Sequence, residues 1–479
     1  MKQKTISRSV KKQSLHLGLM ALLLISVCSC QSADSQKSQE RPNFILILID
    51  DLGWSSYSSQ MDDRVPDSKS DFFETPNIDK FSTESMRFTR GYSPDPICSP
   101  TRRSIQFGQT SIKMGDDDVF PSNYNSSFKT IPQALKAFDP SYKAAHFGKW
   151  DLRADLTPEQ LGYDVSDGDS GNSDGNMGAG KENKWTRFFI SENPKQVDSL
   201  TNRAIRFMKS QVASKSPFYL QVSHYATHAD MVTRQKSYDK FKAKTPGVKH
   251  NNPAWAGMIH DLDEKIGELV DMVEELGISD NTYIVLMADN GAVEFLPPVK
   301  NKLDLPSTFK TPMRNAPLRA GKWTLFEGGI RVPFMVKGPD VEKGSMSDVP
   351  VVGWDLLSTF NDLAGNKNIS KNVEGGSFAD VLKNKGKGKV ERSDEAFYFH
   401  RFAKGYPHSA VIVGDYKLLK FWKSTKVEMY NIAEDLGETK DLAKSNPEKA
   451  KELEATLLDY MKTNNPELLT ASIKLSTKK

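Results

Sequence analysis

The residues of this chain best suited to chemistry stand at the ends of two apolar runs. Asn43–Ile49 (NFILILI) leads into Asp50-Asp51-Leu52-Gly53, and Thr282–Ala288 (TYIVLMA) leads into Asp289-Asn290-Gly291. Three carboxylates and one amide oxygen form a hard, anionic donor set that suits Ca²⁺ or Mg²⁺, whereas Zn²⁺ more often recruits His or Cys. The competing use of each pair is to cap a helix that follows its strand. A third candidate is Cys98, in Ile97-Cys98-Ser99-Pro100-Thr101-Arg102-Arg103-Ser104. A lone Cys is either a small buried hydrophobe or a chemical group, and its neighbours decide which.

Positioning these residues is the task of the surrounding elements. Unbroken apolar runs of this length read as strands buried on both faces, the usual strands of a parallel sheet covered by helices. Ligands of such sheets gather beyond the C-terminal ends of the strands, so the two acidic strand ends are expected to meet there. Trp255, Met258, Ile259, Leu262, Ile266, Leu269, Val270, Val273 and Leu276 keep three- and four-residue spacing, an amphipathic helix stopped by Gly277. Short strands at 217–223 and 332–336 and a helix at 354–363 complete an α/β pattern. After Gly365 the text changes to a basic, Gly-punctuated stretch at 383–389. Strands at 396–400, 410–413 and 416–421 and a last helix from about 447 to 462 then predict a smaller α+β domain.

The low-complexity segment 167–184 is read as a surface loop. Its Gly175, Gly180 and Lys181 match phosphate-loop spacing, but Glu182 stands where a hydroxyl should meet Mg²⁺ and no apolar strand precedes it. Its acidic residues do not fall in the register of a calcium hand.

The chain has 479 residues, 38% of them hydrophobic and 26% charged, which excludes disordered, collagenous and polytopic classes. Its formal charge of +4 is smaller than the five cations of the first 29 residues, Lys2, Lys4, Arg8, Lys11 and Lys12. The body is therefore not basic, and nucleic acid is not expected as a partner. That leader continues into an apolar run from Leu15 to Val27, too short for a span and suited to a signal peptide. Val27-Cys28-Ser29-Cys30 resembles a bacterial lipobox, which implies acylation at Cys30, with plain cleavage or an uncleaved anchor as the alternatives. The expected organisation is a signal peptide over 1–29, a polar tether over 30–40, a catalytic α/β domain over 41–365 and a C-terminal α+β subdomain over 366–479. Export leaves Cys98 as the one Cys of the body, so no internal disulfide forms there.

Cys98-x-Pro100-x-Arg102 resembles the signature of type I sulfatases, in which the Cys is oxidised to formylglycine (3-oxoalanine). The similarity runs in order through RPNFILILIDDLG, ETPNIDKFSTESMRFTRGY, AAHFGKW, THAD, DLDEKIGELVDMVEELG, MADNG, PLRAGKWTLFEGGIRVPF, WDLLSTFNDLAG and GDYKLLK. The resemblance implies an alkaline-phosphatase-like α/β/α sandwich with a mostly parallel central sheet, and a smaller C-terminal domain with an antiparallel sheet. It further implies one Ca²⁺ held by Asp50, Asp51, Asp289, Asn290 and the modified residue at 98. Arg102 would hold that modified side chain, Lys149 and Lys322 would grip sulfate oxygens, and His228 would protonate the leaving alcohol. In the family the aldehyde hydrates to a gem-diol; one hydroxyl attacks sulfur and the other then expels sulfate, a release that Ser or Cys cannot perform this way. The implied partners are a sulfated carbohydrate, a formylglycine-generating or anaerobic sulfatase-maturing enzyme, and a membrane only through the lipid anchor. The implied location is the periplasm or cell surface of a bacterium.

Three positions depart from the family pattern. Gly-Lys-Trp-His-Leu is here Gly148-Lys149-Trp150-Asp151-Leu152, so Asp151 stands in for an imidazole as base or hydrogen-bond acceptor, or is structural. A carboxylate donates no proton at neutral pH unless its pKa is strongly raised. A Pro-His-x-Pro setting has become Thr227-His228-Ala229-Asp230, which makes His224 a rival for the acid. His146, before the first lysine, reads as packing. Specificity is expected from segments outside these motifs: 62–71, 167–184, 231–250, and 296–314 with Lys300, Lys302, Lys310 and Arg314. The rival activities are phosphoester or phosphonate hydrolysis within the same superfamily and non-catalytic glycan binding.

Overall fold

The computed structural model describes residues 41–114, 128–153, 156–175, 187–294, 314–402, 406–424 and 426–477. The signal, tether and lipobox expectations, the 176–184 part of the acidic loop, and Lys300, Lys302 and Lys310 lie outside them. The described residues, all from Arg41 onward, belong to one compact unit. Among the described residues no helix is long and apolar enough to cross a membrane.

Eight strands form the central sheet: β1 (Asn43–Ile49), β2 (Met86–Phe88), β3 (Lys143–Gly148), β4 (Val165–Ser166), β5 (Phe218–Ser223), β6 (Thr282–Ala288), β7 (Phe334–Lys337) and β8 (Met346–Ser347), in the order β8-β2-β7-β6-β1-β5-β3-β4. β1 lies at the centre and pairs in parallel with β5 and β6; β3 extends the parallel run, and β7 is antiparallel to both of its neighbours. Every side chain from Phe44 to Ile49 is buried, as an apolar run without alternation requires of a strand covered on both faces. Each contributes on the order of 1.5–3 kcal/mol of burial free energy, an upper figure because the unfolded chain is already partly collapsed.

Register carries the sheet into function. Ile49 pairs with Ala288, Leu48 with Ser223, and Ser223 with Gly148, so the strand ends are level. The next residues along the chain, Asp50, Asp289, His224 and Lys149, therefore leave the sheet at one edge.

Among the helices, α1 (Cys98–Phe107) and α2 (Val197–Ser214) flank the sheet together with the long α3 (Pro253–Glu275). Asn252 caps α3 by accepting from the Ala254 and Trp255 amides, and Gly277 just beyond it has φ +68°, the left-handed end expected of a helix stop. α4 (Leu356–Leu363) follows in the C-terminal half. A second sheet then runs antiparallel in sequence order through β9 (Phe397–Arg401), β10 (His408–Val413), β11 (Tyr416–Phe421) and β12 (Val427–Asn431). Two helices close the chain, α5 (Pro447–Asn464) and α6 (Pro466–Thr477). β12 and α6 were not foreseen from the sequence. Polar Glu428 and Asn431 break the apolar pattern of β12, and Pro466 separates α6 from the helix before it. The apolar face of β9 and β11 packs on Tyr92, Phe326 and Trp354 of the larger body, whereas Phe378, Val381 and Val390 join the main core.

Candidate active site

After β1 the chain turns sharply, with Asp51 at φ +59°. The turn is held by Thr227, whose Oγ1 donates to the carbonyls of Asp50 and Asp51 at 3.1 and 3.0 Å, and by the Asp51 amide donating to Asp289 Oδ1 at 3.0 Å. No helix begins at either acidic pair: the first described helix after Asp51 starts at Pro76, and 291–294 is irregular. The pairs are thus not helix caps, and all four side chains are fully buried.

Cys98 is the first residue of α1. Its Sγ lies 3.1 Å from Asp50 Oδ1, 3.7 Å from Asp51 Oδ1 and 3.2 Å from Lys322 Nζ. Arg102, one helical turn on, falls on the same face as Cys98. It donates through Nε and Nη2 to Asp289 Oδ2 at 3.1 and 2.7 Å and through Nη1 to the Lys149 carbonyl at 2.5 Å. Lys149 follows Gly148, whose φ of +93° and 2.0 Å approach of a hypothetical Cβ to the Ser223 carbonyl exclude any side chain. The Lys149 ammonium sits 2.7 Å from Asp50 Oδ2, and Lys322 donates to both oxygens of Asp51 at 2.6 and 2.8 Å.

His228 Nε2 is 3.7 Å from Asp51 Oδ2, with Nδ1 3.0 Å from the Ala229 carbonyl. Its rival His224 is buried with no hydrogen-bond partner for either ring nitrogen, and burial alone draws its pKa down to about 4. The geometry therefore brings His228, not His224, to the cluster. Asp151 lies 3.4 Å from the Lys149 ammonium, with its other oxygen 3.3 Å from Arg153 Nε. His146 packs edge-on against Trp150 and contacts Ser223 Oγ at 3.0 Å.

Four carboxylates and three permanent cations thus share a water-poor space, where each charge is strongly felt. Burial opposes charge on Asp50, yet Lys149, His228 and Arg102 hold its carboxyl well below the usual range. Burial and the neighbouring Asp50 push Asp289 up to about 7. Burial also opposes charge on Asp151, but Lys149 and Arg153 keep its pKa below the ordinary value, so it is a carboxylate and not an acid at neutral pH. Burial is outweighed at Lys322 by Asp51, which raises its pKa. Burial, with Asp289 and Asp50 beside it, lifts the Cys98 thiol well above its ordinary value, so the unmodified side chain is a poor nucleophile.

Asp50, Asp51, Cys98 and Asp289 each offer a ligand atom within 4.8 Å of the others. Asn290 donates through Nδ2 to Asp51 Oδ1 at 2.8 Å while its buried Oδ1 has no partner. An unpartnered amide oxygen beside three carboxylates is a donor set that a hard divalent cation would satisfy, and these residues fit one.

Sequence reasoning missed Thr227 and Lys195. Lys195 is buried with an unpartnered Nζ, and burial draws its pKa down to about 7. No spacing marks either residue. Within the expected specificity segments, the 62–71 loop spends its charges internally: Asp62 and Asp348 clamp Arg64, and Asp71 accepts from the amides of Lys249 and His250.

The sulfatase family model matches residues 42–366, and the model for the C-terminal part of N-sulphoglucosamine sulphohydrolase matches 321–466. A sulfatase of Formosa agariphila is 25% identical, over 89% of this chain and 88% of that protein. N-acetylgalactosamine-6-sulfatase of Mus musculus is 27% identical, over 82% and 75%. The fold is shared with Ps i-CgsB, solved in complex with k-i-k-neocarrahexaose, at a TM-score of 0.72 and 24% identity over 91% and 98% of the two chains. With its acidic strand ends, its Cys-led helix and this agreement over most of its length, the chain belongs to the sulfatase family and is a sulfuric ester hydrolase.

Proposed function

We propose that this chain hydrolyses sulfate esters of a polysaccharide or oligosaccharide with a formylglycine made from Cys98 and one Ca²⁺. The observation that carries the reading is Cys98 itself. Its side chain stands between the Asp50 carboxylate and the Lys322 ammonium, 3.1 and 3.2 Å away, at the one place where both acidic strand ends converge. The glycan class is supported by a relative named N-acetylgalactosamine-6-sulfatase and by a structural neighbour solved in complex with k-i-k-neocarrahexaose.

Asp50, Asp51, Asp289 and Asn290 would hold the cation, which would orient the oxygen at position 98 and offset sulfate charge. Once matured, position 98 would supply a hydrated aldehyde, whose chemistry would be to take up a sulfuryl group and release it as sulfate. The chain's own residues do the rest. Arg102, held by Asp289 and the Lys149 carbonyl, fixes the helix end that carries position 98. Lys149 and Lys322 turn from their carboxylates toward the oxygens of the incoming sulfate, whose charge replaces that of Asp50 and Asp51 as their counterion. His228 hands its Nε2 proton to the departing alcohol. In the free site burial and Lys322 keep its imidazole neutral, and the negative charge of the arriving sulfate ester opposes both effects. Asp151 orients Lys149 rather than donating a proton.

The wider reading is an exported lipoprotein with its catalytic α/β domain over 41–365 and a C-terminal subdomain over 366–479, matured by a formylglycine-generating or anaerobic sulfatase-maturing enzyme. Turnover of an aryl sulfate is compared with that of an aryl phosphate on protein from the native host, with the mass of the Cys98 peptide measured in parallel. Faster sulfate cleavage and a lighter, aldehyde-bearing peptide are expected. Faster phosphate cleavage would transfer the assignment to phosphoester hydrolysis, and an unmodified thiol without turnover would favour glycan binding alone.

A further inference from the structure

Another buried guanidinium, that of Arg314, is held by the turns that follow both acidic strand ends. Its carbonyl accepts from Ser55 Oγ at 3.2 Å and lies 3.1 Å from His250 Nε2. Its Nη1 reaches the Val293 carbonyl at 3.4 Å, and its guanidinium carbon lies 3.8 Å from the Trp255 ring centroid. Ser55 is four residues beyond Asp51 and Val293 three beyond Asn290, so the same turns that shape the reaction centre fix this side chain.

Among the described residues Arg314 makes no ion pair. It is 5% exposed, and its Nη2 is buried with no hydrogen-bond partner among them. Glu294, whose charge acts on it, instead accepts from the Asn315 amide and Nδ2, both at 2.8 Å. Burial draws the guanidinium down to about 9, against the pull of Glu294 and Asp51. A desolvated cation with an unmade hydrogen bond is among the costliest arrangements in a protein interior, and persists where a ligand completes it. The cleft that Arg314 lines with Phe73, Lys249, His250, Asn252 and Trp255 has room for about one oxygen atom, near 20 Å³. The Lys249 ammonium is already engaged by the carbonyls of Asp67 and Ala316 at 2.6 and 3.3 Å. That leaves Arg314 as the cation facing the cleft with bonding capacity unspent.

We propose that Arg314, backed by Trp255, is a specificity residue that binds one oxygen of a second oxyanion substituent, a sulfate or a carboxylate, on the glycan whose sulfate ester is cut. This rests on the sulfated-glycan reading above. A guanidinium over an aromatic ring suits it, since its donors are fixed in a fork that matches an oxyanion and the ring holds its plane.

The test compares kcat/KM of the matured wild type with that of Arg314→Gln and Arg314→Lys on three kinds of substrate: 4-nitrophenyl sulfate, disulfated disaccharides, and monosulfated disaccharides carrying a uronate. For Arg314→Gln, the loss on the better of the two doubly charged classes is expected to exceed the loss on 4-nitrophenyl sulfate by at least tenfold, mainly through KM. Arg314→Lys, which keeps charge without the fork, is expected to fall between. Whichever class shows the larger excess identifies the substituent as sulfate or carboxylate. Because each comparison is a ratio within one preparation, a smaller folded fraction cancels. Equal losses on all three substrates would overturn the subsite, and 4-nitrophenyl sulfate turnover in the wild type reports separately on the sulfatase reading.

Discussion

At the scale of single residues, the site is an exercise in charge balance, and its departures from the family pattern follow from that. Asp151 lies 3.4 Å from the Lys149 ammonium and is held ionised. Asp151→Asn is expected to lower kcat ten- to a hundredfold with KM unchanged or lower, since removing a negative charge favours an anionic substrate while Lys149 loses its orienting partner. Because its pKa lies below the ordinary carboxylate value, the same variant should leave the acid limb of the pH-rate profile between pH 5 and 8 in place. A shift of that limb would make Asp151 a proton carrier. Cys98→Ala should abolish aryl sulfate turnover altogether, and full activity would refute the mechanism. Chelation bears on the other half of the site. Removing divalent ions should lower the melting temperature, and re-added Ca²⁺ at about a hundred times its Kd should restore about 2.7 kcal/mol. Asn290→Ala should weaken that rescue.

At the scale of elements, strand register is what turns scattered motifs into a site. The β1 and β6 strands end level, as do β5 and β3; β1, β6 and β3 each hand a residue of the charged cluster over at the next position, whereas β5 hands over His224 and reaches the cluster only at His228. Gly148 is the tightest joint of this arrangement. With φ +93° and the Ser223 carbonyl 2.0 Å from where a Cβ would stand, Gly148→Ala must push β3 away from β5 and move Lys149 off Asp50. A loss of about 2–4 kcal/mol in denaturant unfolding is expected, with a fall in activity larger than the unfolded fraction explains. The capping alternative for the acidic pairs failed for a reason at this scale: among the described residues no helix starts directly after either strand, so the carboxylates have no helix terminus to cap.

At the scale of the whole molecule, the antiparallel sheet is locked to the catalytic body by a buried ionic network close to the Lys322 segment. Lys417 on β11 donates to Glu327 Oε1 at 2.9 Å and lies 2.8 Å from Glu438, while Arg331 holds the other oxygen of Glu327 at 2.6 Å. Lys417→Met leaves two carboxylates buried against each other and should destabilise by about 3–5 kcal/mol. Burial, with the charge of Glu327 and against the pull of Lys417, pushes Glu438 up to about 7 from its ordinary 4.5. Between those values the folded protein keeps a proton that the unfolded chain has released, so stability falls as pH rises across that window. The melting temperature of the wild type, measured with Ca²⁺ present, should drop more steeply from pH 5 to pH 8 than that of Glu438→Gln. Parallel slopes would remove Glu438 as the titrating group.

The sequence by itself determined the α/β class, the central buried strands, the long α3 with its glycine stop, and the kinds of residue the reaction centre needs. Those features are local: apolar runs, helical spacing and a short Cys-led motif are written within a few residues of one another. It also supplied His224 and His228 as rivals, because two histidines four residues apart look alike on paper. Only the tertiary structure shows which of them lies beside Asp51, since that depends on how the turn after β5 folds over the end of β1. The same holds for Thr227 and Lys195, and for the burial and unmade hydrogen bond of Arg314, which the sequence marked only as one basic residue of a specificity segment. Their roles come from burial and from partners present or missing, and an isolated Lys or Arg in a sequence reads as a solvated surface residue until the fold removes the water around it.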